Sequence, residues 1–166
     1  MSAAGPPQRR SAPSGGGARS DVRGEHISVL LDTHIWIWWL TSESPLSSIE
    51  RAALDTAAER RETFLSAISL WEAQVLHDKR RLVLPAPFSD WIVRAADERI
   101  VSVLPMDLAV VLELDRLPAS FHGDPADRMI VATARSHRLP IATHDRAIRK
   151  SRVAELWRPG TTWLRP

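Results

Sequence analysis

The chain contains no cysteine among its 166 residues. That excludes a disulfide framework, a thiolate zinc site and a cysteine nucleophile. It is compatible with a reducing compartment, and a cytoplasmic location is expected. Long apolar runs are also missing, since nothing approaches the roughly 18 to 20 residues that cross a bilayer, so no membrane partner is expected. Nor is there a basic surplus in the body of the chain. Of 22 basic and 20 acidic residues, four and two respectively fall within residues 1–25, leaving 18 of each in the remainder. A neutral body gives no support by itself to nucleic-acid binding, which usually shows excess positive charge.

What is present divides into three stretches. Residues 1–25 are rich in Gly, Ala, Ser, Pro and Arg and lack the apolar core of a signal peptide, so they read as a disordered tail. The folded pattern starts near Ile27, which is compatible with an upstream over-extension of the coding region. Residues 26–158 read as one domain, and 159–166 as a C-terminal extension. With 44% hydrophobic residues, the domain has enough apolar side chains for a core.

Hydrophobic periodicity predicts strands at 26–32, 63–67, 100–104 and 140–143. Helices are expected at 33–40, 47–61, 69–80, 88–99, 107–116 and 126–137, with a short one starting at 144–150. Residues 153–157 suggest a further edge strand. Strands alternating with helices predict an α/β fold, a central parallel sheet flanked by helices.

In such sheets ligands bind beyond the carboxyl ends of the strands. Acids stand at those places. Asp32 ends the first strand, Glu72 lies in the first turn after the second, Asp124 and Asp127 open the helix before the fourth, and Asp145 follows the fourth. Converging carboxylates repel one another unless a cation neutralises them. Mg²⁺ and Mn²⁺ prefer carboxylate oxygen and water, and such ions assist phosphodiester hydrolysis. The chain shows neither a nucleophilic serine motif nor a Gly-rich phosphate loop. Each acid has a plain structural alternative. Asp124-Pro-Ala-Asp127 has the form of an N-cap followed by proline, Ser69-Leu-Trp-Glu72 has that of a capping box, and Asp32 precedes a helix start. Capping and metal binding are compatible uses of one carboxylate.

The stretches VLLDTHIWIWWL, SAISLWEA, HGDPADRMIVATA and ATHDRAI resemble, in this order, the four signature regions of PIN domains, especially VapC-type toxins of bacterial toxin–antitoxin pairs. The resemblance spans roughly residues 27–157. It implies a Mg²⁺- or Mn²⁺-dependent endoribonuclease whose catalytic acids are Asp32, Glu72, Asp127 and Asp145. Asp124 is either a rival for the third place or an additional ligand. In the implied mechanism water activated by metal attacks phosphorus, leaving 5′-phosphate and 3′-hydroxyl ends. Asp32 and Asp127 bind metal, Glu72 binds metal or orients the water as base, and Asp145 completes the cluster. Thr33 and Ser66 occupy small-hydroxyl positions resembling those that line this site. The resemblance also implies an RNA substrate, a small antitoxin partner and a homodimer.

Arg128, Arg135, Arg146 and Arg149 are candidates for phosphate contact, with solvated surface charge as the alternative. His34, His122 and His144 adjoin the acids without a zinc-binding spacing, and are expected to touch phosphate or lie at the rim. Trp36, Trp38, Trp39 and Trp71 fall in apolar helical patterns and are expected mostly in core or subunit packing. The adjacent Trp38 and Trp39 cannot easily both be buried in one small core, so that one is a candidate for a dimer or antitoxin contact. A non-catalytic binding module and a metal-dependent phosphatase are the competing readings. The first is disfavoured by the presence of all four acids, the second by the Asp32-Thr-His34 sequence, which lacks a second nucleophile-type acid.

Overall fold

A computed structural model describes residues 28–41, 45–121 and 123–159. The tail at 1–25 and nearly all of the 159–166 extension therefore lie outside the described residues. The strands are β1 (Val29–Leu31), β2 (Thr63–Ser66), β3 (Ser102–Leu104) and β4 (Ile141–Ala142). The helices are α1 (Thr33–Leu40), α2 (Ser48–Glu59), α3 (Ala67–Asp78), α4 (Phe88–Ala95), α5 (Leu108–Asp115), α6 (Pro125–His137) and α7 (Arg146–Ser151). The sheet runs in the order β3-β2-β1-β4, and every pairing is parallel. The expected α/β architecture is the one observed.

Strand alternation places side chains on both faces of this sheet. Val29 and Leu31 pack with α1 to α4 residues such as Trp36, Leu54, Ala73 and Trp91. Leu30 points the other way, into a second core with Val110, Ile130, Val131 and Ile148 of α5, α6 and α7. A strand buried on both faces must be apolar throughout, which is why VLL reads as a continuous run. The wedge of α1 into the first core is fixed by polar ends. Trp36 Nε1 donates to Ala95 O at 3.0 Å, and Trp39 Nε1 donates to Asp55 at 2.8 Å. Arg51 from α2 donates to the Trp39 and Trp38 carbonyls at 2.6 and 3.2 Å, satisfying carbonyls that the end of α1 leaves open.

Several expected boundaries move. Helix α3 starts at Ala67 because Ser66, the last residue of β2, is itself the N-cap. Ser69 is thus inside the helix, and its expected capping box with Glu72 does not form. The box that does form is Ser47 with Glu50, at the start of α2. Helix α4 ends at Ala95, short of the expected Arg99, where Asp97 accepts from the Arg99 amide and guanidinium in a local turn. Residues 153–157 do not make a strand. Ile141 exchanges backbone bonds with Glu155 and Trp157, giving one bridge at Leu156, and a two-residue β4 offers no longer ladder. Trp36 and Trp39 are buried as expected and Trp38 is half-buried. Trp71 departs from expectation at 56% exposed, because it lies on the outer face of α3.

Candidate active site

The chain enters the sheet at β1 and moves outward through β2 to β3, and β4 then joins β1 on its other side. The direction of progress reverses between β1 and β4, so their carboxyl ends flank a crevice. Asp32 follows β1 directly and Asp145 lies three residues past β4. Ser66 ends β2, and the helix it caps carries Glu72. Helix α6 brings Asp124 and Asp127 to the same edge.

Asp32 is the most enclosed of these acids, at 3% exposed. It takes the N-cap position of α1, yet its carboxylate turns to the Thr143 hydroxyl, which donates at 2.5 Å, and closes no standard capping bond. Burial raises its pKa, and Asp145 adds to the rise. Thr143, His34 and the His34 amide pull the other way without cancelling it. Glu72 is half-buried and accepts from the Thr33 hydroxyl at 2.6 Å. Burial again raises its pKa, with Asp32 and Asp124 contributing.

Asp127 shows the convergence most directly. Its carboxyl is pushed up to about 7, first by burial and then by the charges of Asp32, Asp124, Asp145 and Glu72. All five acids named from the sequence therefore act on one another across a shared space. Two of them also cap helices. Asp124 accepts from the amides of Ala126 and Asp127 at 2.8 and 3.3 Å, with Pro125 at the first helical position as expected. Asp145 accepts from the Ile148 amide at 2.8 Å.

Uncompensated negative charge on oxygen donors, with no thiolate, suits a hard divalent ion such as Mg²⁺ or Mn²⁺. Among the described residues no group of three or more His, Asp or Glu side chains is arranged to hold an ion as it stands. The Asp32 and Glu72 carboxylates accept instead from hydroxyls, and those of Asp124 and Asp145 from backbone amides.

The remaining candidates fall at different distances from this chemistry. The Thr33 hydroxyl is fully buried, donating to Glu72 and lying 2.8 Å from Ser69 Oγ. Ser66 is buried against Thr133 of α6 at 2.9 Å. Both hydroxyls tie acid-bearing elements together from within. Arg128 donates to the Phe121 carbonyl at 3.0 Å and lies over that ring. Arg135 is held by Glu113 at 2.8 Å, joining α6 to α5, which makes it a structural cation. Arg146 and Arg149 are exposed on α7. His34 is exposed at the rim, and His122 lies outside the described residues.

Two features were not singled out in the sequence. Thr143 bonds both Asp32 and the Asp145 amide. A hydroxyl just past a strand end, two residues before Asp145, was the local signal for it. The second is the partner of His144, whose Nε2 stands 2.7 Å from Glu50 across 94 residues of chain, a pairing that no local pattern encodes.

Comparisons with known proteins identify the family. The PIN domain family model matches residues 29–154. Ribonuclease VapC22 of Mycobacterium tuberculosis (strain ATCC 25618 / H37Rv) is 36% identical over 137 residues, covering 82% of this chain and 98% of that protein. Among solved structures, FitAcB from Neisseria gonorrhoeae is similar with a TM-score of 0.57 and 23% identity, over 79% of this chain and 97% of that one. A structure of FitAB bound to an IR36 DNA fragment gives 0.56 and 23%, over 79% and 94%. These two likenesses speak for the fold. The match to the family model and to this ribonuclease over most of the chain makes this protein a member of the PIN-domain family, of the VapC type.

Proposed function

We propose that this protein is an endoribonuclease that hydrolyses RNA phosphodiester bonds with Mg²⁺ or Mn²⁺ and serves as the toxin of a toxin–antitoxin pair. The observation that carries the reading is the mutual action of Asp32, Glu72, Asp124, Asp127 and Asp145 at the carboxyl edge of the sheet. The 36% identity to a ribonuclease over most of the chain supports the choice of substrate.

Asp32 and Asp127 would hold the ion, with Asp145 completing the set and Asp124 as a rival or added ligand to Asp127. When bound, the ion supplies a Lewis acid that acidifies water and offsets charge on the phosphoryl oxygens. Glu72, kept in place by Thr33, either joins the ligands or takes a proton from the attacking water. Asp127, its carboxyl raised to about 7 by burial and its neighbouring acids, would have to be deprotonated to serve as a ligand. Thr143 holds Asp32 from the side opposite solvent. Arg146 and Arg149 stand ready for RNA phosphates.

A small antitoxin would inhibit by covering this crevice. The outer face of α5, where Leu108 is 73% exposed beside exposed Val111 and Leu112, is the surface we assign to a second copy of the chain. No helix among the described residues is long and apolar enough to cross a membrane, and we place the enzyme with its RNA in the cytoplasm.

The test is cleavage of a mixed tRNA, rRNA and mRNA panel by antitoxin-free protein. Discrete cuts with 5′-phosphate ends are expected with Mg²⁺ or Mn²⁺. EDTA should abolish them, and Asp32→Asn or Asp127→Asn should lower the rate at least about a hundredfold, the scale of losing a group that stabilises transition-state charge. Cleavage that survives these controls would sink the proposal, as would folded protein that cuts nothing.

A further inference from the structure

From the acids runs a cleft that extends beyond the groups the proposed chemistry needs. One cavity of about 310 Å³ is lined by Glu72 and Asp124 together with His34, Trp71, Lys79 and Arg81. A second, of about 500 Å³, adjoins it through shared His34, Leu76 and Arg81, and is walled by Trp38, Leu82 and Leu84. The two form a continuous path leading away from the acid cluster.

The path has aromatic and basic sides. The Trp38 ring stands between two imidazoles, with centroids 5.6 Å from His34 and 5.7 Å from His144. These three make a ridge whose ends, His34 and His144, adjoin the residues carrying Asp32 and Asp145. Lys79, Arg80 and Arg81 follow α3, all exposed, and none makes an ion pair among the described residues. Beyond the other end of the ridge lies a third cavity of about 310 Å³, lined by His144, Arg149 and Arg158.

Packing explains why Trp38 is left available. Trp36 and Trp39 fill the core and bond their indole nitrogens internally. Trp38 turns to the cleft, half-buried, with its backbone carbonyl fixed by Arg51. A partly exposed indole on a braced helix is a preorganised stacking surface. Flat aromatic surfaces flanked by unpaired cations match a single-stranded nucleic acid, whose bases stack while its phosphates meet the cations. A polyanion crossing five carboxylates also needs such cations close by.

We propose that the cleft beside the acids is a nucleobase subsite, in which a base of single-stranded RNA next to the scissile phosphate packs on Trp38 and His34 while Arg81 and Lys79 hold its phosphates. This rests on the ribonuclease reading, and it adds what that reading leaves open, namely where the substrate chain lies and which residues select it.

The experiment compares binding of a fluorescein-labelled single-stranded RNA 12-mer with an abasic ribose-phosphate 12-mer, by anisotropy, on the full chain in Mg²⁺-free buffer. Wild-type protein should bind the RNA about tenfold more tightly than the abasic chain, the scale of one base–aromatic stack. Trp38→Leu and His34→Ala, the latter at an exposed residue, should each bring that preference close to one. Arg81→Ala should weaken both probes alike and reduce the salt dependence. Folding of each variant is checked by circular dichroism, and His34→Ala decides the matter if Trp38→Leu is unfolded. Equal binding of the two probes by wild type would overturn the subsite, as would a preference that persists in His34→Ala. So would variants that keep the preference but lose affinity for a co-purifying antitoxin, which would give the cleft to a protein partner. Metal-dependent cleavage is read separately on the same samples. Cleavage without base preference sinks the subsite alone, and base preference without cleavage sinks the ribonuclease reading alone.

Discussion

Asp127 carries the clearest thermodynamic signature at the level of single residues. Its ordinary value of 3.8 is raised to about 7 in the folded protein, by burial and then by four neighbouring carboxylates. The folded state therefore binds this proton more tightly than the unfolded state does. The resulting stability is fully present below the unfolded value and is lost as pH rises through about 7. Metal-free protein should lose about 1–2 kcal/mol of stability between about pH 4 and 8, after allowance for partial exposure of the group. Urea unfolding across that range is the measurement, with Asp127→Asn removing most of the slope and saturating Mg²⁺ flattening it. An identical slope in the variant would show that the repulsion is not centred there. Asp32 and Glu72, raised for the same first reason, act in the same direction.

Among the elements, the start of α2 has a reach larger than its own length. Glu50 bonds the Ser47 amide and hydroxyl at 2.8 and 2.7 Å, and its other oxygen meets His144 at 2.7 Å. Burial would raise its pKa, but His144 and Ser47 outweigh that and hold it below the usual range. The loop between β4 and α7 is thereby pinned to α2, and that loop carries Thr143 and Asp145. Glu50→Ala should cost about 1 kcal/mol from the lost cap and should also lower the cleavage rate several-fold through misplacement of Asp145. Glu50→Gln, which keeps an oxygen and a donor, should restore most of the rate. If Glu50→Ala loses stability but cuts at the parental rate, the contact is structural alone. Elsewhere the ends of helices show tolerance, since Arg61, Arg80, Arg138 and Arg152 all adopt left-handed backbone, with φ between 53° and 57°.

For the whole molecule, two cores on opposite faces of one thin sheet leave apolar surface uncovered. Leu108, Val111 and Leu112 recur at helical spacing on the outer side of α5, while Val110 of the same helix enters the core. Leu108→Glu with Leu112→Glu should convert a dimer to a monomer, as measured by sedimentation. Monomer stability should change by no more than about 0.5 kcal/mol, because neither side chain packs internally. Equal masses for parent and variant would remove α5 from the interface.

The fold class was legible in the sequence because each strand is a short apolar run and each helix repeats at its own period. Asp32, Glu72, Asp124, Asp127 and Asp145 were legible because a parallel sheet sends every strand exit to one edge. Local hydrogen bonding then chose among equivalent patterns. Ser47 rather than Ser69 caps with its glutamate, since β2 runs straight into α3 and Ser66 takes the cap. Trp38 and Trp71 share the apolar pattern of their neighbours, and only the packing of each helix against the core decided that Trp38 is half covered and Trp71 exposed. The pairing of Glu50 with His144 and the cleft between α1 and α3 join residues far apart in the chain. Local propensity encodes neither, since such contacts exist only when packing closes the distance. The amino-acid order thus determined the elements and the edge at which the acids meet. Tertiary packing alone decided the electrostatic coupling of those acids and the aromatic path beside them, because both depend on distances through space.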